Sequence, residues 1–264
     1  MNNTTGMLWL SERIAEDVFY HKLVLDQDLE KCKPGQFINV QVPNRPDLIL
    51  KRPFGIIDYD YESNSVSYAF QVRGQGTQEL AKAQMGDRIE VMLPLGNGFS
   101  IDDNTKKIAL VGGGLGVFPL YSVIREFGVN PDKDIHTFLG YKNINRAYLA
   151  DKFGKYKDGK QTYVATEDGS MGDNAYITDV VAEKIGRINP DVVLACGPVP
   201  MLKSLKQVMS KHPAIATYAS LEERMGCGFG VCLACVCKTN KQGEINHERV
   251  CKEGPVFKID EVEL

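Results

Sequence analysis

The sequence predicts a β barrel plus α/β protein in three regions: an antiparallel barrel, a domain built on a parallel sheet, and a small cysteine-rich C-terminal domain. Apolar and polar residues alternate through residues 5–100, which is typical of half-buried strands. Strand-like apolar runs then alternate with helical spacing as far as residue 212, and the remainder is dense in glycine and cysteine. We expect domain boundaries at 1–102, 103–212 and 213–264.

The composition is that of an ordinary globular protein. Of the 264 residues, 43% are hydrophobic and 25% are charged, and the formal net charge is −3. This balance allows sizeable cores and gives no electrostatic footprint for nucleic acid or an anionic membrane. No apolar run reaches the length of a transmembrane helix, and the N-terminus lacks the basic segment of a secretory signal. We therefore expect a cytoplasmic protein that binds neither nucleic acid nor membrane.

The first region is predicted as a barrel from its period-two pattern. Ile38, Val40 and Val42 share one face, which we expect to lie on the core, and Asn39 and Gln41 share the other. The same period recurs at residues 66–72 and 89–93, with turn signals at 33–35, 85–87 and 96–98. Several short strands at this spacing favour a small antiparallel barrel.

The second region begins where the apolar run 108–111 meets a glycine-rich turn. Apolar residues at helical spacing follow from Phe118 to Phe127. Further strand-like runs occupy 136–141, 161–165 and 192–195, and a helical segment occupies 199–209. Strands that alternate with helices predict a parallel sheet with right-handed crossovers.

The strongest motif is Cys227-x4-Cys232-x2-Cys235, with Cys251 sixteen positions later. This is the plant-type spacing of four thiolates that hold a [2Fe–2S] cluster. The glycines between the ligands, Gly226, Gly228 and Gly230, let the backbone fold tightly and turn its N–H groups toward sulfur.

The cysteines have two alternatives to a plant-type cluster. Four thiolates also suit zinc, although zinc ribbons carry two C-x2-C pairs and this chain has one. A Rieske centre needs two histidines, and His247 is the one histidine in this region. The pattern favours iron–sulfur, with Cys237 outside the ligand set.

The glycine-rich turn is formed by Gly112, Gly113, Gly114, Leu115 and Gly116. Between a strand and a helix, such a turn directs backbone N–H groups and the positive end of the helix at a phosphate. It does not match the dinucleotide fingerprint G-x-G-x-x-G, because Val117 occupies the last glycine position. A nucleotide-phosphate site and a plain tight turn both remain open.

Two more strand ends carry candidate ligand groups, since ligands bind at the carboxyl ends of parallel strands. Cys196, Gly197 and Pro198 follow one strand, and Cys196 would lie beside a nicotinamide or be a small buried residue. Thr166–Asp168 follow another strand and would reach a ribose or form a solvated turn.

In the barrel, Arg52, Pro53, Phe54 and Gly55 form one motif, and Gly76-Thr77 forms another. An arginine after a strand can pair with a phosphate. Gly76 permits close backbone approach, and Thr77 offers an N–H and a hydroxyl to a pyrophosphate. Each motif alone is common in loops. Their position in a barrel that precedes a nucleotide-type domain favours a role in cofactor binding.

Taken in this order, these motifs resemble the ferredoxin–NADP reductase superfamily. The C-terminal segments SLEERMGCGFGVCLACVCK and RVCKEGPVFKIDEVEL are more specific. They are similar to the electron-transfer subunits of B-type dihydroorotate dehydrogenases, and the resemblance extends over essentially the whole chain.

The resemblance implies three redox groups and their ligands. FAD would lie against Arg52, Pro53, Phe54, Gly55, Ala69, Phe70, Gln71, Gly76 and Thr77. NAD, as an exchangeable substrate, would lie against Gly112, Gly113, Gly114, Gly116, Cys196, Gly197 and Pro198. The [2Fe–2S] cluster would be held by Cys227, Cys232, Cys235 and Cys251.

The resemblance also implies a role and a partner. NADH exchanges a hydride and the cluster single electrons, so FAD must lie between them. The partner would be an FMN-containing dihydroorotate dehydrogenase catalytic subunit in pyrimidine biosynthesis, in a heterotetramer of two plus two. No general acid or base is expected in this chain. Alternatives are the reductase subunit of a bifurcating transhydrogenase or hydrogenase, and a zinc-bearing nucleotide-binding regulator without redox activity.

Two details bear on the cofactors that the resemblance implies. The family commonly has serine or threonine where this chain has Gly55, and that hydroxyl can bond the flavin. The strand-end loops at 141–143 and 166–168 offer no arginine cluster for a 2′-phosphate, which favours NAD over NADP. Lys142 and Arg146 weaken this preference.

Overall fold

A computed structural model describes residues 2–264. The N-terminal region is a closed antiparallel barrel whose strands neighbour one another in the order β1-β2-β5-β4-β3-β6. The strands are β1 (Asn2–Ala15), β2 (Val18–Leu25), β3 (Phe37–Val40), β4 (Arg52–Asp60), β5 (Ser65–Gln71) and β6 (Arg88–Leu95). A six-residue helix, α1 (Gln75–Leu80), follows β5. The predicted barrel is confirmed.

The barrel core is mainly apolar and encloses a buried histidine. The alternating apolar residues of each strand meet inside the barrel, as the period-two pattern predicts. His21 is fully buried among them and lies 3.1 Å from both the Ser11 hydroxyl and the Tyr68 hydroxyl. Burial lowers the pKa of His21 to about 4, so the ring is neutral at physiological pH.

The second region is a three-layer α/β domain. Its sheet runs in the order β10-β9-β8-β7-β11-β12-β15 and is parallel from β10 through β12. Its strands are β7 (Lys107–Gly113), β8 (Asp134–Tyr141), β9 (Thr162–Thr166), β10 (Asp173–Asn174), β11 (Val192–Cys196) and β12 (Ala216–Ser220). Its helices are α2 (Val117–Phe127), α3 (Ala150–Gly154), α4 (Ile177–Ile188) and α5 (Val199–Met209). The parallel sheet and both predicted helices are confirmed.

The C-terminal region is tied to the α/β sheet. It contains a hairpin of β13 (Val236–Lys241) and β14 (Glu244–Arg249), and then β15 (Val256–Lys258). β15 pairs antiparallel with β12, with Ala219 opposite Phe257. The parallel sheet thus continues past residue 212, and a strand from the cysteine-rich region completes its edge.

Within residues 2–264, no helix is long and apolar enough to cross a bilayer.

Candidate functional site

The first two cysteines of the motif lie in a loop that points its backbone at their sulfur atoms. Val231 and Cys232 donate their N–H groups to Cys227 Sγ at 3.3 and 3.4 Å, and Phe229 does so at 3.5 Å. The N–H of Cys227 in turn lies 3.3 Å from Cys232 Sγ. Such donors stabilise the negative charge of a thiolate and of a cluster bound to it.

These donors have a measurable consequence for acidity. Burial alone would raise the pKa of Cys227, but the N–H groups of Cys232, Phe229 and Val231 lower it to about 6. Gly228 and Gly230 adopt φ values of +80° and +92°, which makes the tight loop possible. These φ values and the N–H contacts at Cys227 Sγ agree with the prediction that the glycines let the loop turn its N–H groups toward sulfur.

The other two cysteines form a second pair. Cys235 and Cys251 are both buried, and Cys251 donates its N–H to Cys235 Sγ at 3.4 Å. Burial and the neighbouring Cys235 raise the pKa of Cys251 to about 12. Two thiols per iron is the requirement of a [2Fe–2S] cluster, and this donor set fits one. Among the side chains that the structure describes, no three His, Cys, Asp or Glu residues converge as for a single metal ion.

Cys237 stands apart from both pairs. It lies on β13 opposite Glu248 and is buried in the small apolar core that includes Phe37, Leu95 and Phe257. Burial raises the pKa of Cys237 to about 11, so the thiol stays protonated at physiological pH. Cys237 is a packing residue of this core.

The two barrel motifs meet in space. A Cβ placed on Gly76 would lie 2.5 Å from Arg52 Nε, so the guanidinium lies directly against the backbone at the start of α1. The Thr77 hydroxyl accepts the N–H groups of Arg73 and Gly74 at 2.9 and 3.1 Å and donates to the Gly74 carbonyl at 3.0 Å. Its hydroxyl hydrogen is thus used within the loop. The backbone and Arg52 are the groups that remain to hold a phosphate.

The two predicted aromatic residues face the barrel core. Phe54 stacks on Tyr68 with ring centroids 5.4 Å apart, and Phe70 is 2% exposed in the same cluster. Because side chains alternate along a strand, Ala69 and Gln71 lie on the opposite face of β5. Ala69 packs against the core shared with the α/β domain, so this outer face borders the domain interface.

The barrel and the α/β domain are in close contact at Gly55. A Cβ on Gly55 would lie 2.4 Å from Cγ of Pro119, in the first turn of α2. A serine or threonine at this position would therefore collide with Pro119. The departure from the family pattern at Gly55 has a packing cause that lies outside the motif.

An ion pair near the C-terminal end of β5 also joins the barrel to the α/β domain. Gln71 Nε2 donates to Asp17 Oδ2 at 2.6 Å, and Asp17 also pairs with the Arg146 guanidinium of the α/β domain. Burial alone would raise the pKa of Asp17, but these hydrogen bonds and the charge of Arg146 hold it below its ordinary value. Arg146 also donates to the Tyr148 hydroxyl at 2.9 Å. Nothing local in the sequence linked these residues.

The predicted nicotinamide-side residues converge at the ends of β7 and β11. Gly112 is opposite Cys196 in the parallel ladder. A Cβ on Gly116 would lie 2.1 Å from the Cys196 carbonyl oxygen, and one on Gly197 would lie 3.1 Å from the Gly113 nitrogen. The glycines thus allow two backbone segments to touch where the phosphates of a dinucleotide would lie.

Other predicted residues at this edge have structural roles. Cys196 is 2% exposed within the core, and burial raises the pKa of its thiol well above the ordinary range. Pro198 precedes α5 directly. Asp168 is exposed and accepts the N–H and hydroxyl of Ser170, so this loop has the form of a solvated turn.

The fold and the site together define a class of protein: a reductase of the ferredoxin–NADP reductase type with a cysteine-rich C-terminal domain. The structure of an NADH-dependent reduced ferredoxin–NADP oxidoreductase matches with a TM-score of 0.84 at 27% identity, covering 98% of this chain and 89% of that one. Phthalate dioxygenase reductase matches with a TM-score of 0.69 at 19% identity, over 94% of this chain and 77% of that one, and shows the fold alone.

The sequence relatives narrow the class. Residues 222–263 match the iron–sulfur cluster binding domain of dihydroorotate dehydrogenase B, and residues 110–207 match the oxidoreductase NAD-binding domain. The electron transfer subunit of dihydroorotate dehydrogenase B (NAD(+)) from Bacillus velezensis is 41% identical, with 96% of each chain covered. The subunit of the same name from Fusobacterium nucleatum is 37% identical, over 96% of this chain and 95% of that one. The chain belongs to the family of dihydroorotate dehydrogenase B electron transfer subunits.

Proposed function

We propose that this chain is a cytoplasmic electron-transfer subunit that carries electrons between NAD and the FMN of a dihydroorotate dehydrogenase catalytic subunit, in pyrimidine biosynthesis. One observation carries the proposal. Two pairs of cysteines, with backbone N–H groups that donate to Cys227 Sγ, occur in one chain with a barrel and an α/β domain of the ferredoxin–NADP reductase type. The net direction in the cell is from dihydroorotate to NAD.

In this proposal Cys227 and Cys232, the outer pair, and Cys235 and Cys251, the inner pair, would hold the cluster. The outer pair lies in an exposed loop and the inner pair in the small apolar core. The cluster supplies single-electron transfer. The chain supplies the backbone donors that stabilise its charge and a wall that keeps water from one side.

Residues of β4 and β5 are proposed to hold FAD, which would supply both hydride and single-electron transfer when bound. Arg52 and the backbone around Gly76 hold the pyrophosphate. The outer face of β5, at Ala69 and Gln71, borders the flavin. Pro53 and Gly55 offer backbone groups there, and Phe54 and Phe70 support the strands from within.

NAD is proposed to bind at the ends of β7 and β11. The turn from Gly112 to Gly116 and the segment from Cys196 to Pro198 present backbone N–H groups and close walls to the dinucleotide. Arg146 is committed to Asp17 and Tyr148, which leaves Lys142 as the cation of that loop for a 2′-phosphate. This arrangement supports NAD rather than NADP. The chain has no proposed general acid or base.

The partner is proposed to dock at the cysteine loop. Val231 and Leu233 are 72% and 62% exposed, and Phe229 beside them is 38% exposed. Exposed apolar side chains around an electron-carrying site are typical of a protein interface. By analogy with the relatives, we propose a heterotetramer of two catalytic and two electron-transfer subunits.

An anaerobic visible-spectrum titration with NADH tests the proposal. In the wild-type protein, NADH should bleach the flavin band and diminish the iron–sulfur absorbance. Cys232→Ser should keep the flavin response and lose the cluster absorbance, and Cys237→Ala, the matched control, should behave like wild type. With the co-expressed catalytic subunit, dihydroorotate should reduce NAD. A colourless protein that contains zinc, or an absence of dihydroorotate-dependent NAD reduction, would contradict the proposal.

A further inference from the structure

Asn39 occupies an unexpected position in the barrel. Its place in the alternating pattern of β3 puts it on the face opposite to the barrel core, yet it is 1% exposed. The cysteine loop covers this outer face. Asn39 is therefore a polar side chain enclosed between the barrel and the proposed cluster.

Its amide contacts the first cluster ligand. Asn39 Nδ2 donates to the Cys227 carbonyl oxygen at 3.2 Å. A Cβ on the next residue, Gly228, would lie 2.0 Å from the same nitrogen. The close contact thus depends on glycine at position 228, whose φ of +80° independently favours glycine.

The backbone of Asn39 contacts the proposed flavin strand. Asn39 pairs with Pro53 in the register of β3 and β4, within the Arg52–Gly55 motif. One strand pairing and one hydrogen bond therefore join the flavin motif to a cluster ligand. The side-chain Oδ1 is buried and has no protein partner, which is costly unless the amide is held for another purpose.

We propose that Asn39 is a positioning residue that docks the cysteine loop on the flavin-binding strand and raises the reduction potential of the cluster. This inference rests on the proposed function. Donation to the Cys227 carbonyl places the positive end of the amide dipole against the backbone of a proposed cluster ligand, which would favour the more negative, reduced form of the cluster. It also fixes the separation across which electrons pass between flavin and cluster.

The test compares Asn39→Leu with Asn97→Leu. Leucine is close in size to asparagine and removes the donor. Asn97 is the matched control, because its Nδ2 also joins the barrel to the C-terminal region, at 2.9 and 3.1 Å from the carbonyls of Lys252 and Glu253. The readouts are iron content, the cluster potential from an EPR-monitored redox titration, and the rate of cluster reduction after NADH is mixed anaerobically with the protein.

Asn39→Leu should retain iron and NADH-dependent flavin reduction, with a lower cluster potential and a several-fold slower cluster reduction. Asn97→Leu should leave the potential unchanged. If Asn39→Leu fails to load iron, Asn39→Ser, which leaves room for water, should show the same lowered potential. An unchanged potential, or an equal shift in Asn97→Leu, would overturn the inference. Failure of the proposed function would appear separately, as a wild-type cluster that NADH does not reduce.

Discussion

The cysteine loop and the interface between barrel and α/β domain build their sites in different ways. Around Cys227, the donors to sulfur come from residues within five positions of it along the chain. At the interface, Gly55 meets Pro119 and Asp17 meets Arg146, across long separations in sequence. One site is made by local backbone conformation and the other by the packing of distant elements.

This difference indicates which kind of change each site tolerates. The local site depends on hydrogen-bond donors and on the thiol pKa values, so pH and metal loading should alter it most. The interface depends on backbone segments that touch, so single added carbon atoms should alter it most. Five expected outcomes follow, from the largest expected effect to the smallest.

In metal-free protein, Cys227 and Cys251 should differ in alkylation rate by several orders of magnitude near neutral pH. Cys227, with a pKa of about 6, is mostly thiolate there, and Cys251, with a pKa of about 12, is a buried thiol. Differential iodoacetamide labelling followed by mass spectrometry measures both. Equal rates for the two cysteines would show that the backbone donors do not act as described.

The same pKa values fix a pH dependence of stability. The folded pKa of Cys227 lies below its ordinary value of 9.0, so the unfolded chain binds more protons between about pH 6 and pH 9. This contribution to the stability of the metal-free protein should be complete above pH 9 and be lost as pH falls through 6.

Gly116→Ala should destabilise the protein by about 3 kcal/mol, because the added carbon meets the rigid Cys196 carbonyl. Gly154→Ala is the control, since a Cβ there has no neighbour within 4 Å. It should stabilise α3 by about 0.5–1 kcal/mol. Urea unfolding measures both, and two changes of the same sign would refute the close contact.

Gly55→Ser should cost about 1–3 kcal/mol and weaken FAD retention, because its Cβ meets the Pro119 ring. The ring atoms can shift, so the cost should be smaller than at Gly116. Pro119→Ala in the same chain should recover much of the loss in thermal unfolding and flavin content. A double variant no better than Gly55→Ser would place the cause elsewhere.

Asp17→Asn should have the smallest effect, about 0.5–1 kcal/mol, because the pair with Arg146 is partly exposed. The pKa of Asp17 is held low, so its stabilising contribution is present above the ordinary carboxyl pKa and is lost on acidification below it. Thermal unfolding at low and high NaCl should show a difference between wild type and variant that shrinks with salt. A difference independent of salt would contradict an ionic contact.

The sequence predicts most of the fold and the local half of the site. Cysteine spacing predicts the proposed cluster ligands because all four lie within one short stretch, and the periods of two and 3.6 predict strands and helices. The sites proposed for FAD and NAD stay predictions. The structure places Arg52 against Gly76 in the first site and Gly116 against Cys196 in the second.

What the sequence could not predict depends on long-range contact. Asn39 has the pattern of a solvent-facing residue, and only the cysteine loop packed over β3 makes it buried. In the sequence, Pro119 looks like any proline in the first turn of a helix, and only the structure shows its contact with Gly55. Cys196 was equally compatible with ligand contact and burial, and the structure places its side chain in the core.

The strand β15 gives the last part of the chain a role in biogenesis. On the ribosome, β12 emerges well before β15, so the open edge of the sheet is exposed until β15 has been synthesised. Nascent chains halted in the hairpin should therefore be prone to association through that edge. Protection of that edge therefore requires synthesis through β15, and a chain truncated before Val256 should leave it exposed.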